Sequence, residues 1–373
     1  IFWIAYRNQS QSDQIWLGSY NATDNSFDSS PSNALGTGVI YNSAYDTVND
    51  KLLFTYYHSS SSDYKVASVT TSGISSFTVV DTEMMVNSGS EQDYIDITYL
   101  GSSKAAWVGP ESSTNGICRI LTIASNGTIT QSSGHNVSVD SGQLKYMRVA
   151  GSGNQIVVAY AKAIDSENGY CRVGTISGTS VSFGSETEFA NEQLNDLRLG
   201  YDPSSGKYLF FYGKNTAKAL VGTVSGTGIS FGTPVTVGGE ISPGKNDIAY
   251  NAKSNSFELF FQNSTYSRGS TRNAKISGTS VVLNTILDTT ASSISYKGYG
   301  IAVGYLSDTV FGSLLAYRAS NGELNGQEIT TMELGTNVTT ENFIGFAAAG
   351  ASDNAAATID VSGATNSNQS SLT

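Results

Sequence analysis

The sequence predicts an all-β protein, a seven-bladed β-propeller of four-stranded antiparallel blades with the first blade closed by a C-terminal strand. Three observations lead there. The phrase Val-Gly-Thr-Ile-Ser-Gly-Thr-Ser-Val-Ser-Phe-Gly at 173–184 returns as Val-Gly-Thr-Val-Ser-Gly-Thr-Gly-Ile-Ser-Phe-Gly at 221–232, a shift of 48 residues. A shift of that size marks a repeated supersecondary unit. An apolar run ending in an aromatic residue precedes both copies, and helical periodicity of useful length is absent from the chain.

Following that apolar run gives Phe2 to Tyr6, Leu52 to Tyr56, Ala105 to Val108, Ile156 to Tyr160, Tyr208 to Tyr212, Phe257 to Phe261 and Ile301 to Tyr305, seven copies in all. Each repeat reads as four short strands: an inner one such as 196–201, the apolar run, a third such as 171–176 and a fourth such as 180–183. Inner strands are expected near 38–46, 94–99, 145–150, 196–201, 247–250 and 293–297, one fewer than the apolar runs, because the first repeat opens on its second strand. The period places the missing inner strand at Glu341 to Ala347, so the C-terminus would close the ring and remove an exposed edge. The alternative puts that strand upstream of Ile1. The expected division is a propeller over 1–348 and, over 349–373, a C-terminal extension or the start of a further β segment.

Composition excludes several classes. The 373 residues hold 39% hydrophobic and 14% charged residues, enough for a large core. Lys and Arg number 20 against 31 Asp and Glu, a formal net of −11, which disfavours nucleic acid or an anionic membrane as partner. Two Cys and two His argue against a disulfide framework or a structural zinc site, and neither cofactor nor metal is expected. Cys118 and Cys171 hold equivalent positions in adjacent repeats and are expected to be free thiols. No run of 18 apolar residues suggests membrane insertion. Ile1 to Arg7 is an apolar strand with no basic leader and no Met, so the chain is expected to begin inside a fold.

Catalytic motifs fail on inspection. Gly239, Gly244 and Lys245 begin a phosphate-loop pattern, but Asn246 stands where Ser or Thr is required. Gly228 to Gly232 spells Gly-x-Ser-x-Gly along a strand rather than on a strand-to-helix turn. His58 and His135 lie in polar loops of different repeats. No enzyme is expected.

Connections point to one face. Third-to-fourth joins are tight hairpins such as Ser177-Gly178-Thr179, while second-to-third joins such as 58–63, 109–116, 161–169 and 263–271 read as longer and different in every copy. Fourth-to-first joins leave from the same side, and binding residues concentrate on such loops. Candidate ligand contacts are Trp16, Arg119, Arg172 and Arg272 at one position of the third strand, which also holds Lys65, with Tyr170 and Tyr266 beside long loops. Guanidinium forks suit a carboxylate, and tyrosines stack on sugars. Arginines at such positions also commonly satisfy loop carbonyls or lie along a neighbouring blade.

The repeated phrase at 173–184 and 221–232, Tyr201-Asp202-Pro203-Ser204-Ser205-Gly206-Lys207 and Glu341-Asn342-Phe343-Ile344-Gly345-Phe346 together resemble repetitive virion proteins of marine tailed phages, notably cyanophage tail-fibre-like or receptor-binding proteins. The resemblance covers residues about 43 to 373, is sharp in repeats four and five, and brings no catalytic residues. It implies a non-enzymatic protein on the virion, an extracellular particle, that binds a host-surface glycan or protein receptor through the long-loop face. Other virion proteins would be further partners, and a homo-oligomer is compatible with it. A polysaccharide-degrading propeller hydrolase and a purely structural appendage are the alternatives.

Overall fold

The structure is a computed structural model describing residues 2–8, 14–21, 26–27, 32–72, 76–87, 95–111, 115–137, 143–239, 246–263, 268–288, 302–305, 313–318, 324–329, 346–347 and 359–360. The chain separates into two compact units, 1–332 and 333–373.

In the first unit the repeats form antiparallel sheets ordered as the sequence predicts. Repeat four runs Leu144–Ser152, Gln155–Lys162, Asn168–Ser177, then Ser180–Phe183. Repeat five runs Asp196–Asp202, Lys207–Gly213, Ala217–Ser225, then Gly228–Phe231. Repeat six runs Asp247–Asn251, Ser256–Asn263, Arg268–Ser277, then Ser280–Leu283, and repeat three is built alike. Repeats one and two share a seven-stranded sheet, because Ser32–Asp46 pairs with Gln14–Asn21 and then with Lys51–His58. Three strands of repeat seven are described, Ala302–Tyr305, Ser313–Arg318 and Leu324–Ile329; its expected inner strand at 293–297 lies outside the described residues. In the second unit Phe346–Ala347 pairs with Ile359–Asp360, and residues 341–345 of the expected closing strand also lie outside the described residues.

The outer strand differs from expectation. In repeats three to six it is broken, and a second piece returns to the third strand: Thr187–Ala190 pairs with Gly169–Cys171, and Val235–Gly238 with Ala217–Ala219. The second-to-third joins are also shorter than read, only 163–167 in repeat four and 214–216 in repeat five. Flanking residues enter the ladder because each backbone N–H and C=O near a paired strand needs a partner.

The core is a series of sheet-to-sheet interfaces. Val157, Ala159 and Cys171 of repeat four meet Tyr208, Phe210 and Tyr212 of repeat five, and Leu209 and Phe211 of repeat five meet Phe257, Leu259 and Phe261 of repeat six. Alternation along each strand thus sends odd and even side chains to opposite neighbours. Cys118 and Cys171 are buried and free, in two successive interfaces.

The repeated phrase is an interlock between neighbours. Gly174 and Gly222 stand opposite Phe183 and Phe231 across the ladder; a Cβ on Gly174 would crowd Ile156, Phe183 and Val181, and one on Gly222 would strike Ile229 and Phe210 and touch Phe231. An aromatic laid over a strand glycine shields backbone that has no side chain of its own. The closing glycines receive the next hairpin: a Cβ on Gly184 would lie 1.9 Å from Thr227 O, and one on Gly232 would lie 1.8 Å from Thr279 O. At the same end Lys104 Nζ donates to Gly178 O at 2.9 Å and Lys207 Nζ to Gly278 O at 2.5 Å, each bond reaching the following repeat.

Candidate binding face

At the opposite end of the sheets, where the second-to-third and fourth-to-first joins emerge, the contacts stop repeating. The inner strands of repeats two to six lie side by side and bring Asn42, Asp96, Arg148, Arg198 and Asp247 to neighbouring positions near that end. Asp96 accepts from Asn42 Nδ2, from its own neighbour Ile97 N at 2.9 Å and from Val149 N at 2.9 Å. Asp196 accepts from Arg148 Nη2 at 3.0 Å, Arg198 Nη1 at 2.9 Å and Leu197 N at 2.7 Å. Arg198 Nε donates to Asn246 O at 3.0 Å and lies 3.8 Å from Asp247. Charges thus alternate across the inner strands of repeats three to six.

Burial pushes the Asp96 carboxyl up, against the Arg148 charge and the hydrogen bonds that favour the anion. It pushes the Arg148 guanidinium down, with Arg198 acting the same way and Asp196, Asp96 and Asp247 opposing. A bulge between Lys145 and Arg148, with Tyr146 at φ 53°, sets the spacing of these two cations on the inner strand of repeat four.

A polar chain runs beside this row. Glu167 binds Lys145 and accepts from Gln193 Nε2 at 2.9 Å, while Gln193 Oε1 accepts from Lys214 Nζ at 2.6 Å. The chain links two joins of repeat four to one of repeat five. Burial works against ionisation of Glu167, but Lys145 and Gln193 hold its carboxyl below the usual range. Ser166 and Glu167 adopt left-handed φ of 54° and 64°, a strained pair of the kind that persists where the surroundings enforce it. At the tip of the same join Ile164 is 71% exposed, an apolar side chain offered to solvent. Lys218 Nζ pairs with Glu192 at 2.7 Å.

The residues singled out from sequence fall in different places. Tyr170 stands at the base of the 163–167 join, bonded to Asp165, which holds its pKa up at about 12; Lys162 Nζ lies 4.7 Å from its ring centroid. Arg119, Arg172 and Arg272 share one register position with Leu220, whereas Lys65 and Trp16 sit two residues nearer the loop end. Arg172 donates to Gly184 O at 2.8 Å and, in the preceding repeat, to Val137 O at 2.8 Å; Arg272 does the same with Asn284 O and Val237 O, both at 2.6 Å. Arg119 Nη1 donates to Ser132 O at 2.9 Å. These guanidinium groups tie the broken outer strands together, and a ligand carboxylate would have to displace those carbonyls. Trp16 is half-buried and donates to Gln14 Oε1 at 3.1 Å. Tyr266 lies outside the described residues.

The inner-strand row escaped sequence reading because its members share a register but not a residue type. Its one sequence signal is the shared position of Asn42, Asp96, Arg148, Arg198 and Asp247 along the inner strands. Among the described residues no three His, Cys, Asp or Glu side chains gather as metal ligands, and no helix is long and apolar enough to cross a membrane.

This arrangement is that of a β-propeller-like protein, and comparison of folds bears it out. The chain is similar to the crystal structure of a putative 6-phosphogluconolactonase from Bacteroides uniformis, at 10% identity and a TM-score of 0.54, over 89% of this chain and 96% of that one. It is similar to a second, from Bacteroides fragilis, at 10% identity and a TM-score of 0.54, over 88% and 95%. At such identity the likeness shows the fold alone. A prolyl endopeptidase structure also matches, with 11% identity and a TM-score of 0.48, over 87% of this chain and 45% of that one. The chain matches no protein-family model and no curated protein.

Proposed function

We propose that this chain is a non-enzymatic recognition module carried on the surface of a tailed-phage particle, binding a host-surface glycan or protein receptor through the loop end of the propeller. The ring has seven blades in this reading, the first closed by residues 341–347, and other virion proteins anchor it. One observation supports the recognition reading. The hairpin end repeats its contacts from blade to blade and is occupied in holding the blades together, whereas the loop end carries side chains that do not repeat. Contacts that are copied from one blade to another serve the ring. The 163–167 join, with its exposed Ile164, and the polar chain through Glu167, Gln193 and Lys214 form a surface with both apolar and hydrogen-bonding character, as recognition of a sugar or protein requires.

The test replaces 163–167 and 214–216 with two-residue Gly-Thr turns and measures adsorption of the purified protein to bacterial cells and to a glycan array. Loop shortening changes closure entropy by only about 0.6 kcal/mol per halving, so the variant should keep its fold, checked by circular dichroism. Loss of adsorption in a folded variant is the expected result. Undiminished binding would overturn the assignment to this face, and turnover of a bound polysaccharide would replace binding with hydrolysis.

A further inference from the structure

Blade six departs from its neighbours on one side only. At the cross-strand pair where blades three, four and five carry Ala106 with Ile120, Val157 with Val173 and Leu209 with Val221, it carries Glu258 with Asn273. Where those blades have Cys118, Cys171 and Ala219 on the third strand, it has Thr271. Alternation assigns the side: Phe257, Leu259, Phe261 and Ala274 pack against blade five, so Glu258, Phe260, Thr271 and Asn273 face away from it. The polar set is closed to water, with Glu258 and Thr271 at 1% exposure and Ser256 and Asn273 at 2%. Asn273 Nδ2 donates to Ser256 Oγ at 2.8 Å, and that hydroxyl bonds Ser254 at 2.6 Å. Among the described residues neither carboxyl oxygen of Glu258 makes a hydrogen bond of good geometry, although Asn273 and Thr271 lie close enough to favour its anion.

The interlock changes on this same blade. Asn284 occupies the place of the receiving glycines Gly184 and Gly232, and Ser256 the place of Lys104 and Lys207, whose amines reach the next hairpin. Apolar facing, glycine socket and lysine bond are all replaced together.

We infer that the side of blade six turned away from blade five is a polar seam held shut with Glu258 in its neutral, protonated form, and that release of this proton to solvent loosens the propeller there. An ionised carboxylate without a partner is strongly disfavoured in such a place, whereas the neutral acid needs no counter-charge. No cation meets it. On its own strand the same side presents Ser256 and Phe260; on the third strand Lys275 follows two residues beyond Asn273; on the inner strand its partner is Ala249, and Asp247 lies beside Arg198. The described strands of repeat seven contain Tyr305, Tyr317, Arg318 and Glu328 as their titratable residues. Burial pushes the Glu258 pKa up from 4.5 to about 8, with Asn273 and Thr271 opposing. Because the folded value is the higher one, this residue's support for folding is complete below about 4.5, declines as pH rises toward about 8, and stays lost above it.

Urea unfolding of the wild type and of Glu258→Gln from pH 5 to pH 9.5 tests this. The folding constant of the wild type should fall relative to E258Q by close to tenfold per pH unit up to about pH 8, then run parallel to it. Limited proteolysis at pH 9 should cut the wild type near blade six faster than E258Q. Glu258→Leu, which restores the residue of blade five, serves as the reference if E258Q does not fold. Parallel curves throughout would overturn the inference. So would calcium chloride stabilising the wild type but not the variant at pH 8.5, which would make Glu258 an ionised metal ligand.

Discussion

Two glycines flank one strand of blade five, and substituting each by alanine should change stability in opposite directions. Neither Gly228 nor Gly232 has a positive φ, so only surroundings distinguish them. A Cβ on Gly228 meets nothing closer than Ser225 O at 3.7 Å, an ordinary contact. A Cβ on Gly232 would sit 1.8 Å from Thr279 O, a backbone atom of the next hairpin, so that hairpin must move by more than an ångström. Overpacking of this kind costs about 1–3 kcal/mol, whereas Gly→Ala at a compatible site gains about 0.4–1 kcal/mol by restricting the unfolded chain. With an unfolding entropy of about 2.1 cal/mol/K per residue, a 332-residue unit changes Tm by roughly 1.4 °C per kcal/mol. Gly232→Ala should therefore melt about 1.5–4 °C below the wild type and Gly228→Ala about 0.5–1.5 °C above it. Differential scanning calorimetry resolves such shifts. If G232A were as stable as G228A, the hairpin would not seat on the glycine and the interlock would be wrong.

Asp196→Ala strips the acceptor shared by Arg148 and Arg198 and leaves a buried guanidinium beside a like charge; with Asp96 and Asp247 still flanking, the cost should be near the low end of about 3–5 kcal/mol. Chemical denaturation measures it, and a loss under 1 kcal/mol would show the row to be loosely held. Burial pushes the Cys118 thiol up to about 12 and raises Cys171 as well, so neither should react with a disulfide reagent at pH 8 while the protein is folded. Because both are free, reducing agent should leave Tm unchanged; a drop on reduction would reveal a bond between them.

What was legible in the sequence was whatever the repeats copy. The apolar runs, tight hairpins and register of the third strands recur about every 50 residues, and the sheets of repeats three to six form on those positions. The break in the outer strand was not legible, because Ser185-Glu186 in one copy and Thr233-Pro234 in the next share only a hydroxyl, which marks no break by itself. Arg172 and Arg272 were recognised as equivalent, but their carbonyl partners Val137 and Val237 belong to the preceding repeat and are visible only once the blades stand side by side. The same limit hid Asp96 with Arg148 and Asp196 with Arg198, since a charged row assembled from different residue types carries no periodic signal.

The interlock also says how such a row of blades can grow. One twelve-residue phrase holds both parts of the joint, the hairpin that seats on the previous blade and the glycine that receives the next. A gene duplication copying one whole unit inserts a blade already matched at its front and its back, with no compensating mutation on either side. Partial copies leave a hairpin without its seat. Selection on this joint alone would therefore favour length changes in whole blades, while each loop on the opposite end stays free to diverge as soon as its blade is born.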